Sequence, residues 1–352
     1  MGVNGYENNN LTVQRYLLMS DYIPPFHITD KMTSLIVKIS ELVTRISFSQ
    51  DGKVSPHLRR QNRIKTIHSS LAIEQNSLTL EQVTAIINGK RVLGRQDEIQ
   101  EVKNAFEAYE QILNLNPLSI KDLLVAHKLM TKDLIIESGK FRSGNVGVFN
   151  GKKLIHMAPP AKLVKGHIQD LLQWYKKSKL HPLIKSAIFH YEFEFIHPFA
   201  DGNGRIGRMW HTLLLGKWNE LFFWLPIEDL IKARQKNYYD ALGASDKCGD
   251  SALFVELMLE IIEKTLKKME VEKNSTDQDS DQVTDQDRVA VKRLLSVLGN
   301  STLSAMEIME RLNLSHRATF RQNYLNPALK LKLIKRTIPD KPNSKNQKYK
   351  RN

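Results

Sequence analysis

The sequence predicts a mainly α protein: a helical core carrying one β-hairpin, followed by a small basic domain. Three observations predict it. Apolar residues recur at helical spacing in runs that open on capping residues. One segment, residues 144–160, breaks that pattern with Asn150-Gly151 between two short apolar runs, a hairpin signal. Residues 274–287 hold five aspartates with Val283 as their only apolar residue, a stretch too polar to order itself.

Taken in order, Thr29-Asp30 opens an amphipathic run to about Ile46. Ser55 opens another to about Glu74, with Pro56 suited to the first helical position. Thr79 with Gln82 is a capping-box pattern ahead of Gly89. Helical runs follow at Gln96–Leu113, Ile120–Ile136, Lys162–Lys177 and Pro182–Phe195, and a further one starts near Arg205 and continues to Trp218. Leu230–Ala244 and Ser251–Glu270 complete the core. In the tail, Arg288–Leu298, Ala305–Arg311 and Arg317–Leu333 read as helices, the last interrupted at Pro327, with a β-prone Ile334–Ile338 after it. The expected divisions are 1–94, 95–272, an acidic linker at 273–287, and 288–352.

Composition narrows the function classes. The single cysteine, Cys248, forms no internal disulfide and suits a reducing compartment, so the expected location is the cytoplasm. Met1 to Asn10 is polar, and no leader is expected. The most apolar stretch, Leu213–Leu225, is broken by Lys217 and Glu220, so no membrane partner is expected. Of the net charge of +14, residues 291–352 carry +11, with fourteen Lys or Arg against three Asp or Glu.

The chemistry concentrates in His197 to Arg208, H-P-F-A-D-G-N-G-R-I-G-R. Gly202 and Gly204 allow backbone conformations in which successive N–H groups turn toward an anion. A helix beginning near Arg205 would add its N-terminal dipole at the same spot. Arg205 and Arg208, three apart, share a helical face and can grip phosphates. Asp201 offers a hard oxygen to Mg²⁺. Asn203 can donate to a phosphate oxygen, and Pro198-Phe199 anchors the loop. His197 is the residue of the string able to carry a proton near neutral pH.

This string resembles the signature of the Fic family, H-P-F-x-[D/E]-G-N-[G/K]-R-x-x-R, at every defined position. The resemblance implies a Fic-type helical fold that transfers AMP from ATP to a protein hydroxyl. It makes His197 the base, Asp201 the Mg²⁺ ligand, and Gly202, Asn203, Gly204, Arg205 and Arg208 the phosphate site. Glycine rather than lysine at 204 favours nucleotidyl transfer over kinase chemistry. The implied cofactors are ATP and Mg²⁺.

Ser69 to Glu74, S-S-L-A-I-E, resembles the family's inhibitory helix, [S/T]-x-x-x-E-[G/N], with Ser70 and Glu74 at the defined positions. Gln75 departs from the pattern, and Asn76 comes one residue late. The resemblance implies that Glu74 pairs with Arg208 and removes its charge from the γ-phosphate site. The 144–160 hairpin corresponds to the family's flap, which registers the target chain; Gly147, Val148 and Phe149 are the docking candidates. Lys152 and Lys153 at its tip would favour acidic segments. Arg234, Tyr238 and Tyr239 resemble a helix lining the adenine side of the pocket, and His190 reads as a packed structural residue.

The tail resembles a winged helix, with 315–333 as recognition helix and 339–348 as wing, and its charge suits DNA or a docking protein. The expected activity is therefore a protein adenylyltransferase acting on a Ser, Thr or Tyr hydroxyl and restrained by Glu74. Removal of AMP at the same site, or a nucleotide-sensing DNA-binding regulator, are the alternatives. The expected partners are a target protein, DNA through the tail, and a second copy of the chain.

Overall fold

Local caps set where the helices begin in the computed structural model, which describes residues 22–48, 54, 56–150, 153–278, 285–299, 301–314, 316–330, 333–339, 344 and 347–352. Helix α1 (Asp30–Phe48) is capped by Thr29, whose Oγ1 accepts from Met32 N at 3.2 Å. Its buried Met32, Leu35, Ile39, Leu42, Val43 and Ile46 keep the helical period. Helix α2 (Pro56–Ile73) follows, then α3 (Leu80–Ile87), which carries the expected box: Gln82 N donates to Thr79 Oγ1 and Thr79 N to Gln82 Oε1.

Helices α4 (Gln96–Glu110) and α5 (Ile120–Thr131) precede a two-stranded antiparallel hairpin of β1 (Gly147–Asn150) and β2 (Lys153–Met157). Helices α6 (Val164–Lys177), α7 (Pro182–Ile196) and α8 (Asn203–Trp218) follow. Next come α9 (Ile227–Ala233), α10 (Gln235–Cys248) and α11 (Ala252–Gln278). The core centres on α7 and α8, which are buried nearly all round, with Phe189, Phe193, Ile206, Trp210 and Leu213 fully buried. Gly207 permits their close approach, since a Cβ there would run into Glu194 and meet His190 at 3.3 Å. No helix is long and apolar enough to cross a membrane among the described residues.

The chain divides into two units, Met1–Met269 and Glu270–Asn352. The second has its own apolar core, including Leu294, Leu298, Ile308, Phe320, Leu325 and Tyr349. It comprises α12 (Asp285–Leu298), β3 (Leu303–Ser304), α13 (Ala305–Arg311), α14 (Arg317–Phe320), α15 (Asn326–Lys330), β4 (Ile334–Arg336) and β5 (Lys348–Arg351). Its antiparallel sheet has the order β3-β5-β4. Ser304 and Glu307 form a second capping box.

Several expected elements differ. The run expected at Leu230–Ala244 is two helices, broken at Arg234 although no proline or glycine stands there. Tertiary contacts redirect the chain: Gln235 Nε2 donates to Ile73 O at 2.9 Å, and Arg234 approaches Glu260 at 3.7 Å. The run expected to reach Ile136 ends at Thr131, and Asp133 is left-handed at φ 60°. Pro327 does not interrupt its helix; it lies in the first turn of α15, where no intrahelical N–H is needed. The interruption is a π turn at Arg321–Leu325. Helix α11 runs on to Gln278 and α12 starts at Asp285, so part of the segment read as linker is helical. Asn150 pairs with Lys153 instead of forming the turn, because the register shifts between Val148 and Phe149. Gly151, Lys152 and most of the expected wing lie outside the described residues.

Candidate active site

The motif folds as a tight passage from α7 into α8. His197 ends α7 in a left-handed conformation, φ 49° and ψ 62°, sparsely populated by residues other than glycine. Gly202, at φ 81°, is the N-cap of α8, and a Cβ on it would meet Thr131 Cγ2 at 2.9 Å. The first turn of α8 therefore faces the loop 198–202, as an anion cradle requires.

Two side chains hold this loop, His127 from outside the motif and Asn203 from within it. His127 Nε2 lies 3.0 Å from Asp201 O, and Gly139 N donates to His127 Nδ1 at 3.0 Å. With Nδ1 accepting, Nε2 carries the proton, which fixes the neutral tautomer. The His127 ring stacks on Phe199 at 3.7 Å, and its burial pushes its pKa down to about 4. Asn203 is 2 % exposed; its Oδ1 accepts from Phe199 N at 2.8 Å and its Nδ2 donates to Phe199 O at 2.9 Å. The amide expected to meet a phosphate is thus engaged in bracing the loop. A carboxamide has both a donor and an acceptor, so it can close both backbone groups of one residue.

Arg142 joins the hairpin to the turn at His197. Its Nε donates to His197 O at 2.8 Å and its Nη1 to Gly144 O at 2.8 Å. Nη2 donates to Pro159 O, and the backbone N of Arg142 donates to Pro198 O at 3.0 Å. One buried guanidinium therefore ties both ends of the flap segment to the residue expected to be the base. Gly147, Val148 and Phe149 lie in the flap strand β1, which pairs with β2 and leaves its other edge unpaired among the described residues.

Both motif arginines are occupied. Arg205 pairs with Glu101 Oε1 at 3.0 Å and with Asp201 Oδ2 at 3.2 Å. Glu101 Oε2 in turn accepts from Asn76 Nδ2 at 2.8 Å. Arg208 is 1 % exposed; its Nε donates to Ser70 Oγ at 3.1 Å, and its Nη2 to Ser70 O at 3.0 Å and Glu74 Oε1 at 2.8 Å. Burial would lower the Arg208 pKa, but the Glu74 carboxylate outweighs it and holds the guanidinium above its ordinary range. A Cβ on Gly204 would run into Glu74 Oε1, so that oxygen sits against the first turn of α8.

Gln75 keeps the helix end despite departing from the expected residue. It takes the left-handed φ of 70°, Asn76 N donates to Leu71 O at 3.1 Å, and Gln75 N donates to Ala72 O at 3.1 Å. That bond pair is a Schellman motif with glutamine in the place usually held by glycine.

Tyr238 is buried, its hydroxyl 3.1 Å from His190 Nε2, whereas Tyr239 is 40 % exposed. Tyr239 nevertheless has its phenol pushed up to about 12, by burial first and then by the Glu74 charge. His190 is fully buried and its pKa falls to about 3 through burial.

Glu194 was not foreseen. It lies one turn before His197, 3.5 Å from His190 Nε2, and its Oε1 accepts no hydrogen bond among the described residues. Burial pushes its carboxyl up to about 7, against the opposing pull of His197 and Arg208. Glu194 shares its helix with Glu192, Lys185 and His190, so its carboxylate alone did not single it out; for Arg142, His127 and Glu101 position alone offered no signal either.

Residues 117–215 match the Fic/DOC family, and residues 289–351 match the C-terminal domain of Fic-like proteins, filamentation induced by cAMP. A crystal structure of a Fic family protein from Desulfovibrio desulfuricans G20 superposes with a TM-score of 0.73 at 49 % identity, covering 94 % of this chain and 98 % of that one. Fic-1 from C. elegans shares the fold, with a TM-score of 0.55 at 23 % identity over 67 % of this chain and 71 % of its own. A protein adenylyltransferase Fic from Drosophila willistoni is 29 % identical over 63 % of this chain, which spans 45 % of that relative. The curated relatives matched are thus more than twice as long as the stretch that aligns to them. Near-complete coverage at 49 % identity, with the motif folded around α7 and α8, places the chain in the Fic family.

Proposed function

We propose that this protein transfers AMP from ATP to a hydroxyl of a target protein and is restrained by Glu74. The observation that carries the reading is the folded 197–208 passage, with a carboxylate seated against Gly204 and paired to Arg208. A carboxylate at the N-terminus of α8 occupies an anion position, which a phosphate takes once Glu74 leaves.

The target hydroxyl loses its proton to His197. A tautomer in which Nδ1–H donates to Glu194 O, 3.3 Å away, leaves Nε2 as the basic nitrogen. The hydroxyl oxygen bonds to the α-phosphorus as the bond to the β-phosphate oxygen breaks, and pyrophosphate departs. Arg208, released from Glu74, and the N–H of Gly204 in the first turn of α8 neutralise the polyphosphate, so positioning and charge supply the rate. The flap presents an unpaired edge on which an extended target segment can lie.

Mg²⁺ fits the donor set. Asp201 has a 60 % exposed carboxylate whose oxygens each accept one hydrogen bond, from Gly202 N and from Arg205, and so retain lone pairs. Among the described residues no group of three His, Cys, Asp or Glu could hold a metal by itself. Mg²⁺ bound through one carboxylate and substrate phosphates needs no such group, and would neutralise charge on the leaving pyrophosphate.

Label transfer from α-³²P-ATP and γ-³²P-ATP, in parallel, tests the reaction. Incorporation from the α position alone, lost in His197→Ala, is the expected result. Label from the γ position would make the protein a kinase, and none from either, with ATP bound, would sink transfer altogether.

A further inference from the structure

Among the described residues, three of the four buried arginines meet acceptors: Arg142 four carbonyls, Arg205 two carboxylates though none at its Nε, and Arg208 Ser70 and Glu74. Arg63 does not. It is 6 % exposed, yet among the described residues it has neither an ion pair nor a hydrogen bond. Its guanidinium lies 5.0 Å from the Trp224 ring and 5.1 Å from the Tyr109 ring, and burial lowers its pKa. A cation–π contact offsets part of the cost of burying a charge and leaves the N–H groups unmatched.

Arg63 lines a cavity of about 180 Å³ with Arg59, Arg60, Phe106, Glu110 and Trp224. Arg59 also lies over Trp224, at 5.0 Å, and donates to Val54 O at 2.8 Å. Arg60 donates to Asn88 Oδ1 at 2.6 Å. Glu110 is the one carboxylate among these lining residues, against three guanidinium groups. A second buried donor, Trp224 Nε1, also lacks an acceptor among the described residues. Arg59 approaches Glu220 Oε1 at 4.0 Å, and the three guanidinium groups still share one lining carboxylate, so the cavity favours an anion from outside the chain.

We propose that this cavity binds a small organic anion, its carboxylate or phosphate group taken by Arg63 with Arg59 and Arg60, and its flat apolar body lying against Trp224 and Phe106. The site is separate from the motif: Arg63 and Glu74 stand about 16 Å apart along the chain direction of α2. Guanidinium groups match the geometry of either oxyanion, and aromatic faces favour a planar substituent. The volume suits a monocyclic compound and is too small for a nucleoside triphosphate.

The test uses the full chain with ATP in excess to fill the motif site. Phenyl phosphate, benzoate, inorganic phosphate and uncharged benzyl alcohol are titrated against tryptophan fluorescence and thermal unfolding. Saturable binding and a concentration-dependent rise in Tm are expected with phenyl phosphate or benzoate, their ratio telling which oxyanion is preferred, and not with benzyl alcohol. Arg63→Met should weaken binding by about tenfold or more. If that variant fails to fold, Arg60→Ala, at an exposed position, should still weaken binding severalfold at unchanged Tm. Absence of saturable binding by all three anions, or affinity unchanged in Arg60→Ala and in a folded Arg63→Met, overturns the proposal. Inorganic phosphate binding as tightly as phenyl phosphate overturns the apolar half of it.

Discussion

Glu74 Oε1 accepts from Arg208 Nη2 at 2.8 Å, and the same oxygen lies against Gly204 in the first turn of α8. One carboxylate thus neutralises the cation expected to hold a phosphate and fills the space beside the helix N-terminus. On the proposed function, both effects oppose productive ATP binding, and both end when Glu74 is removed.

Glu74→Gly should therefore raise α-label transfer about ten- to a hundredfold, the value of one charge-assisted pair of about 1.5–3 kcal/mol. The gain should appear chiefly in productive turnover. Arg208→Ala in the Glu74→Gly background should remove it. An unchanged rate in Glu74→Gly would show that the contact does not restrain the enzyme.

Arg142→Met should separate the flap from the catalytic turn. Four carbonyls lose their shared donor, so a stability loss of about 2–4 kcal/mol by urea unfolding is expected. At a temperature where the variant remains folded, turnover should fall tenfold or more, because His197 loses the bond that fixes its backbone (about 1.4 kcal/mol per decade). Full activity in a folded variant would reduce Arg142 to a structural staple.

Gln75→Gly should be harmless or stabilising. Glutamine at φ 70° carries a left-handed penalty of about 1–2 kcal/mol, partly offset by glycine's greater unfolded-state entropy of about 0.5–1 kcal/mol. The net expectation is a gain of up to about 1 kcal/mol with Glu74 still paired. A clear loss of stability would mean that the Gln75 side chain makes a contact worth more than the strain.

Glu194 should leave a pH signature. Its folded pKa of about 7 lies above its ordinary 4.5, so between those values the folded state holds the extra proton and stability falls as pH rises. The contribution is fully present below about 4.5 and lost above about 7. His127 and His190, held neutral to about 4 and about 3, slope the other way below 6.5. The difference between wild type and Glu194→Gln isolates the carboxyl, on the order of 3 kcal/mol across the window. A flat difference would place the Glu194 pKa near its ordinary value.

Periodicity and caps determined most helices, because amphipathic spacing and the hydrogen bonds of Thr29 or Thr79 are local. The motif was legible for a similar reason: its residues act within one turn and one helix start, so their spacing carries their geometry. The Glu74–Arg208 contact was legible only through resemblance, since 134 positions separate the partners. What the tertiary structure alone decided lies where distant segments compete for the same atoms. Arg234 breaks a helix that its own neighbours would continue, Asn203 spends its amide on Phe199, and Arg142 reaches carbonyls from three stretches of chain. Gln75 accepts a strained φ because the Ala72 carbonyl takes its own N–H and the Leu71 carbonyl that of Asn76. Local sequence fixes which donors and acceptors each residue has; only the packed fold sets which of them meet.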